Sequence, residues 1–193
     1  MSSPLSHTAN GDAPLSAAKN PNPLAETDEL APRHGDVLIG RSVTINRPRD
    51  LLYSFWRDFK NLPQFMHNVH SVTIKDAAHS HWVIEAPAGK TVEWDSQITH
   101  DEPGCLIAWQ SLEGASIRNS GKVEFLDSPD GRGTVVRVTL TYDAPAGAVG
   151  KLIAKLFQKE PKVQARQDLR RFKQLMETGE VSTAQPPHAA PRA

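Results

Sequence analysis

The most constraining feature of this chain is a run of apolar residues at helical spacing near its C-terminal end, at about residues 147–177. The apolar side chains recur every three or four residues, which predicts a long helix with one apolar face and its lysines and arginines elsewhere. This face consists of Val149, Leu152, Ile153, Leu156 and Phe157 before Pro161, and of Ala165, Leu169, Phe172 and Met176 after it. Because most of the stability of such a helix comes from packing, the chain must provide a second apolar surface that covers this face.

The preceding residues predict that surface as a series of seven strands. In the first strand, at 37–46, large apolar residues recur at every second position, and Arg41 is the one charged residue on the apolar face. Six further strands are predicted at 69–75, 82–86, 91–100, 106–112, 117–126 and 134–142, with turn residues such as Gly89, Pro103 and Gly104 in the gaps. Short connections between consecutive strands are typical of an antiparallel meander.

Two short helices are predicted between the first two strands. Pro48 suits the first turn of the first helix, at 48–59, and the second helix is predicted at 61–66 with Asn61 as its N-cap. The apolar face of the first helix consists of Leu51, Leu52, Phe55, Trp56 and Phe59. Two small helices are therefore expected after the first strand.

The order of one strand, two short helices, six strands and one long helix predicts an α+β fold. A seven-stranded antiparallel sheet curves through its own twist, and the long C-terminal helix is the only predicted element able to cover its concave face. Two apolar surfaces of different curvature seldom seal completely, so we expect a cavity between the sheet and the helix. Small ligands bind in apolar cavities of this kind.

Composition limits the classes of function. The chain has 193 residues, of which 38% are hydrophobic, and it fits one folded domain at 35–180 between disordered tails at 1–34 and 181–193 that are rich in Pro, Ser and Ala. Its 22 basic and 22 acidic residues give no net charge, which argues against nucleic-acid binding. No stretch is apolar enough for a transmembrane helix, and Cys105 is the only cysteine, so we expect a soluble cytoplasmic protein, open to peripheral membrane contact.

Several short motifs of the predicted domain form a recognisable set: Trp94-Asp95-Ser96 with Ile98, Ile107-Ala108-Trp109-Gln110-Ser111, Gly121-Lys122-Val123-Glu124-Phe125, Gly133-Thr134-Val135-Val136 and Asp168-Leu169-Arg170-Arg171-Phe172-Lys173. Together they resemble the bacterial polyketide cyclase/dehydrase-like branch of the START-type lipid-binding superfamily, which also includes coenzyme Q-binding START domains. The resemblance covers residues 35–180. It implies a helix-grip fold with a hydrophobic cavity that accepts lipids, quinones, polyketides or similar molecules. Carriers, sensors and enzymes all use such a cavity, so the resemblance does not fix an activity.

We predict that large apolar side chains hold the ligand. Trp94 and Trp109 lie on neighbouring predicted strands with Ser96 and Ser111 on the same faces, and each indole N–H is available to hold a carbonyl or hydroxyl oxygen. The short helices are expected at the mouth of the cavity, where Met66 offers adaptable apolar surface. The complete predicted set is Phe59, Leu62, Phe65, Met66, Trp82, Trp94, Trp109, Tyr142, Leu152 and Leu156. The alternative for each residue is ordinary core packing, which large apolar side chains provide equally often.

The histidines do not predict a metal site. His67 and His70 form one close pair and His79 and His81 another, but the second pair falls in a predicted loop. No Cys or carboxylate cluster completes a set of three or four ligands, so we expect neither a metal nor another cofactor.

Catalytic groups are also sparse. Glu93 and Asp95 alternate with Trp94, so if Trp94 points into the cavity both carboxylates point away from it. Arg41 and Glu124 reach inward in some registers of the sheet, and an Arg–carboxylate pair there would support catalysis. The leading hypothesis is therefore binding of a lipid, isoprenoid quinone or polyketide-like molecule without catalysis. The alternative is a cyclase, aromatase or dehydratase that uses the same cavity.

The charged residues of the last helix predict a solvated face. Arg166, Arg170, Arg171 and Lys173 are interleaved with Asp168, Glu177 and Glu180. Spacings of three or four residues favour ion pairs on this face, such as Lys173 with Glu177. The sequence gives no prediction of the oligomeric state.

Overall fold

The computed structural model describes residues 37–86, 89–115, 117–142 and 161–181. The elements are β1 (Val37–Ile45), α1 (Arg49–Arg57), a 3-10 helix (Phe59–Gln64), β2 (Val69–Ile74), β3 (His79–Ala86), β4 (Lys90–Glu102), β5 (Leu106–Ser111), β6 (Asn119–Asp127), β7 (Thr134–Tyr142) and α2 (Pro161–Thr178). Their order is the predicted one. The first half of the predicted long helix, with Leu152 and Leu156, and nearly all of both predicted tails lie outside the described residues.

The seven strands form one antiparallel sheet in the order β1-β7-β6-β5-β4-β3-β2. Strands β2 to β7 are neighbours in the order of the chain, and β1 pairs with β7 at the far edge. The predicted meander is therefore confirmed. With α2 it forms the curved sheet and C-terminal helix of a helix-grip fold.

The two faces of the sheet follow the period-2 pattern of the strands. In β4, Val92 and Ser96 are buried while Glu93 is exposed. In β6, the buried Val123 and Phe125 lie on the same side as Gly121. This alternation gives the sheet an apolar inner face and a polar outer face.

The core lies between that inner face and all three helical segments. Phe172 of α2 is completely buried, and its ring lies 5.0 Å from that of Trp56 in α1 and 4.7 Å from that of Phe65, which follows the 3-10 helix. Burial of one such side chain stabilises the fold by about 1.5–3 kcal/mol. The prediction that the long helix alone covers the sheet is therefore wrong, because Trp56 of α1 and Phe59 and Leu62 of the 3-10 helix are buried in the same core.

The 3-10 helix begins two residues earlier than predicted. Its N-cap is Asp58, whose carboxylate accepts a hydrogen bond from the backbone N–H of Lys60 at 3.3 Å. The predicted cap, Asn61, instead donates from its side-chain amide to the carbonyl of Phe55 at 3.0 Å. A carboxylate cap at Asp58 satisfies a backbone donor that the helix start leaves free.

Strand β3 also begins earlier than predicted. His79 and His81, expected in a loop, belong to β3 and pair with Gln97 and Asp95 of β4. The turn before β3 is fixed by Asp76, whose Oδ1 accepts hydrogen bonds from the backbone N–H groups of Ala78 and His79, both at 2.8 Å. This side-chain contact sets the strand boundary, and the hydrophobic pattern of the sequence does not predict it.

The C-terminal end of α2 is attached to the end of β1. Arg47 donates to the carbonyls of Met176 and Glu177, both at 2.8 Å, and Lys173 donates to the carbonyl of Thr44 at 2.7 Å. The last carbonyls of a helix have no partner within it, so the guanidinium stabilises this end. The predicted pair of Lys173 and Glu177 is confirmed at 2.8 Å. The N-terminal half of α2 therefore points towards the opposite end of the sheet.

Candidate functional site

A cavity of about 180 Å³ lies between the inner face of the sheet, the 3-10 helix and α2. Most of its lining is apolar, and it includes all four tryptophans of the sequence, Trp56, Trp82, Trp94 and Trp109. An engineered apolar cavity of about 150 Å³ is large enough to bind benzene. The space observed is thus sufficient for the ring system of a small organic molecule.

Seven of the ten predicted site residues line this cavity: Phe59, Leu62, Met66, Trp82, Trp94, Trp109 and Tyr142. Phe65 does not, because its ring is buried between Trp56 and Phe172. Leu152 and Leu156 lie outside the described residues. That these residues contact a ligand remains a prediction.

One wall of the cavity is a layer of aromatic rings on β3 and β4. Trp82 and Trp94 are paired across the two strands, with their rings stacked at 6.4 Å and an interplanar angle of 5°. Phe59 of the 3-10 helix packs on Trp82 at 5.6 Å. The indole N–H of Trp82 donates to the hydroxyl of Ser80 at 2.9 Å, so this donor is used within the protein.

The two serines predicted beside the tryptophans have other roles. The hydroxyl of Ser96 donates to the carbonyl of Gln110 at 2.9 Å, and that of Ser111 accepts from the backbone N–H of Asn119 at 3.1 Å. Both hydroxyls stabilise neighbouring strands, and other residues form the walls of the cavity. Sharing a strand face with a tryptophan is therefore not sufficient to place a serine in the lining.

A polar part of the lining lies where β6 begins and β7 ends. Asn119 and Tyr142 are paired in register there, and both line the cavity. The side-chain nitrogen of Asn119 is buried and has no hydrogen-bond partner among the described residues. Leaving such a donor unsatisfied costs about 1–3 kcal/mol, so this amide is an available binding group. Burial also raises the pKa of the Tyr142 hydroxyl, which stays protonated.

Asp168 of α2 brings a carboxyl group to the cavity lining. Its Oδ1 accepts hydrogen bonds from Arg171 at 2.8 Å, from Gln164 at 2.9 Å and from the backbone N–H of His67 at 3.3 Å. Burial raises the pKa of Asp168, while the hydrogen bonds from Gln164 and His67 act in the opposite direction. A carboxyl with such a shift, placed in a cavity, is a candidate functional group.

The sequence assigned Asp168 to the solvated face of the helix, and that assignment is wrong. Asp168 lies three residues after Ala165 and four before Phe172, two residues of the apolar stripe. This spacing puts it at the border of the apolar face, a signal that was present in the sequence.

The other carboxylates considered from the sequence lie on the outer face. Asp95 binds Lys75 and His81, both at 2.8 Å, and the hydrogen bonds from these two groups lower the pKa of Asp95. Glu124 lies 3.4 Å from Lys122 and 3.9 Å from Arg137, between the inward Val123 and Phe125.

Arg41 makes a hydrogen bond from its Nη1 to the neighbouring carbonyl of Gly40 at 2.6 Å. Because Glu124 lies on the outer face, the Arg–carboxylate pair that would support catalysis in the cavity does not form from these two residues.

Within the described ranges, no group of three or more His, Cys, Asp or Glu is arranged to hold a metal ion. The helices that the structure describes are all too short or too polar to cross a membrane.

Residues 45–170 match the model of a protein family described as polyketide cyclase/dehydrase and lipid transport. Among solved structures, DR_A0006 from Deinococcus radiodurans is 43% identical, with 74% of this chain matched to 98% of that protein and a TM-score of 0.63. TTHA0849 from Thermus thermophilus is 27% identical over 72% of this chain and 95% of its own, with a TM-score of 0.57.

An aromatase/cyclase from a Streptomyces species has the same fold at lower similarity. It is 16% identical over 76% of this chain and 99% of its own, with a TM-score of 0.56. At this identity the likeness extends to the fold alone. No curated protein sequence matches the chain.

Proposed function

This chain belongs to the polyketide cyclase/dehydrase and lipid transport family, and we propose that it binds a hydrophobic small molecule in the cavity between the sheet and α2. The observation that carries the proposal is the cavity itself, with four tryptophans and mostly apolar groups in its lining. Proteins bind small organic molecules in concave apolar sites with a few polar groups. The proposed class of ligand covers lipids, isoprenoid quinones and polyketide-like compounds.

The space left beside the core supports this proposal. Unfilled apolar volume lowers stability, because the lining side chains lose contacts that closer packing would give them. Larger side chains at positions such as Val138 would fill the space, so a binding function accounts for the small residue there.

The polar lining fits binding better than catalysis. Among the described lining residues, Asp168 provides the one carboxyl group, and no His, Lys or Arg lines the cavity with it. General acid–base chemistry is most effective when a second group that titrates near neutral pH shares the proton transfers. Binding and release of the ligand, without a chemical step, is therefore the function proposed.

Asp168 also supports a second candidate, a cyclase, aromatase or dehydratase that uses the cavity. Its pKa is raised by burial, as in carboxyls that act as general acids or bases. Incubation with a linear poly-β-ketone thioester, followed by mass spectrometry of the products, tests this candidate. Loss of water or ring closure with the wild type and not with Asp168→Asn would support it, and unchanged substrate with both proteins would eliminate it.

The proposed binding is tested by titrating the protein with naphthalene and with a short-chain ubiquinone. Because all four tryptophans line the cavity, their fluorescence reports its occupation directly. We expect saturable quenching or a spectral shift in the wild type and its loss in Val138→Phe, which fills the cavity. Gln110→Phe places the same ring on an exposed position of β5 and should leave binding intact. Equal binding by both variants, or none by the wild type, would contradict the proposal.

A further inference from the structure

We propose that the bound molecule carries an uncharged, oxygen-bearing head, a hydroxyl or carbonyl group, which Asn119 and Asp168 recognise while the tryptophans hold the apolar body. This inference rests on the binding function proposed above. It narrows the ligand class to neutral, oxygen-substituted ring compounds, and it disfavours molecules with a carboxylate or phosphate head.

The first observation is the free donor of Asn119. Its side-chain nitrogen is buried and unpartnered among the described residues, while its backbone N–H already donates to Ser111. An amide N–H needs an oxygen or nitrogen acceptor, and a hydroxyl or carbonyl oxygen of a ligand provides one. Asn119 lies two residues before Gly121, which is paired with Trp109 of the next strand. A ligand oxygen bound to the Asn119 amide is therefore close to the aromatic wall of the cavity.

The second observation is the free oxygen of Asp168. All three of its hydrogen-bond donors reach Oδ1, and Oδ2 makes no hydrogen bond with the described part of the chain. A carboxylate oxygen accepts a hydrogen bond from a ligand hydroxyl. Arg171 pairs with this carboxyl group at 2.8 Å but does not line the cavity, so an anionic ligand head would meet the carboxyl group first and would also lose its own hydration.

The two groups contact one cavity from opposite sides. Asn119 belongs to the sheet and Asp168 to α2, whose C-terminal end is fixed at Arg47 near the far end of β1. Asp168 also accepts from the backbone of His67, directly before Asn68, another lining residue, and Val69 then begins β2. Strand β2 begins at the end of the sheet where β6 begins. The polar lining thus gathers towards this end, and Trp56 and Phe59 belong to the apolar remainder.

Three ligands with one ring skeleton test the proposal: naphthalene, 2-naphthol and 2-naphthoate, each measured by isothermal titration calorimetry. One added hydrogen bond is expected to make 2-naphthol bind roughly 3- to 10-fold more tightly than naphthalene. The carboxylate should bind at least about tenfold more weakly than 2-naphthol. Equal affinities for naphthalene and 2-naphthol, or tighter binding of 2-naphthoate than of 2-naphthol, would overturn the inference. In either case, saturable binding of naphthalene would still support the proposed function. Failure of all three ligands to bind would contradict both.

Two variants assign the preference to the named groups. Asn119→Leu keeps the approximate volume and removes the free donor, so the preference for 2-naphthol over naphthalene should fall to about twofold or less while naphthalene still binds. Asp168→Asn removes the charge and should narrow the gap between 2-naphthol and 2-naphthoate. The thermal unfolding of both variants is recorded to show that they are folded. If both are folded and the affinities for the three ligands keep the ratios of the wild type, the proposal is overturned.

Discussion

The indole of Trp109 lies over Gly121 on the neighbouring strand, where a side chain would not fit. The two residues are paired in register between β5 and β6, and a Cβ placed on Gly121 would lie 2.6 Å from Cζ2 of Trp109 and 2.8 Å from Cδ2 of Leu140. Trp109 and Leu140 both line the cavity. The missing side chain at position 121 therefore sets the position of one cavity wall.

Gly121→Ala should disturb both the fold and the cavity. The added methyl group must displace the Trp109 ring or Leu140, and overpacking of this kind lowers the free energy of unfolding by about 1–3 kcal/mol. The displaced side chain also narrows the cavity, so naphthalene binding should weaken. Gly40→Ala is the matched control, because a Cβ on Gly40 of β1 meets nothing within 4 Å. Similar unfolding midpoints in urea for the two variants would contradict this account of Gly121.

Phe172→Ala should remove the contact through which α1 and the 3-10 helix hold α2. The ring is completely buried against Trp56 and Phe65, and truncation of such a residue lowers the free energy of unfolding by about 3–5 kcal/mol. Arg170→Ala, at an exposed position two residues earlier, should change it by less than about 0.5 kcal/mol. Urea unfolding curves distinguish the two, and a loss below about 1 kcal/mol in Phe172→Ala would be inconsistent with this packing.

Asp168 and Asp95 should affect the pH dependence of stability with opposite signs. The pKa of Asp168 is raised in the folded state, so its contribution to stability is greatest below the unfolded pKa and is lost as the pH rises through the folded pKa. The pKa of Asp95 is lowered, chiefly by Lys75, so its contribution is present above the unfolded pKa and is lost as the pH falls through the folded pKa.

Urea unfolding of the wild type, Asp168→Asn and Asp95→Asn between about pH 3 and 7 checks these signs. Relative to Asp168→Asn, the wild type should lose stability as the pH rises. Relative to Asp95→Asn, it should gain stability. If stability relative to both variants changes with pH in the same direction, the direction of the pKa shift of Asp168 or of Asp95 is contradicted.

Arg47→Met should loosen the C-terminal end of α2. The variant loses two hydrogen bonds to the carbonyls of Met176 and Glu177, which should lower the free energy of unfolding by about 1–3 kcal/mol. Amide hydrogen exchange should become faster in the last turns of α2. Arg49→Met is the control, since its ion pair with Asp127 spans 3.7 Å at the surface and such pairs contribute little. Unchanged amide hydrogen exchange in the last turns of α2 in Arg47→Met would contradict a stabilising role of Arg47 at this helix end.

Much of this fold could be predicted because alternation and helical spacing are local properties of a sequence. Strand β7 matches its prediction from Thr134 to Tyr142, and Trp94 and Ser96 lie on one face of β4, as their spacing predicted. Alternate residues of a strand lie on the same face of the sheet, and one face is buried, so the hydrophobic pattern of each strand indicates which side chains point inward.

The errors arose where contacts between distant residues or single hydrogen bonds decide the outcome. The N-cap at Asp58 and the turn at Asp76 depend on one carboxylate each, which the hydrophobic pattern does not record. Asp168 accepts a hydrogen bond from the backbone of His67, about a hundred residues earlier in the chain. Seven of the predicted apolar and aromatic residues line the cavity, whereas Asn119 was not predicted because only the pairing of β6 with β7 places it there.

Ligand binding in the cavity is tested most directly by native mass spectrometry of the protein purified from cells, followed by organic extraction and identification of the released compound. We expect a discrete mass increment from an uncharged, oxygen-bearing apolar molecule, present in the wild type and in Gln110→Phe and absent from Val138→Phe. A protein that carries no such increment from cells, and gains none after incubation with saturating 2-naphthol, would contradict ligand binding in the cavity.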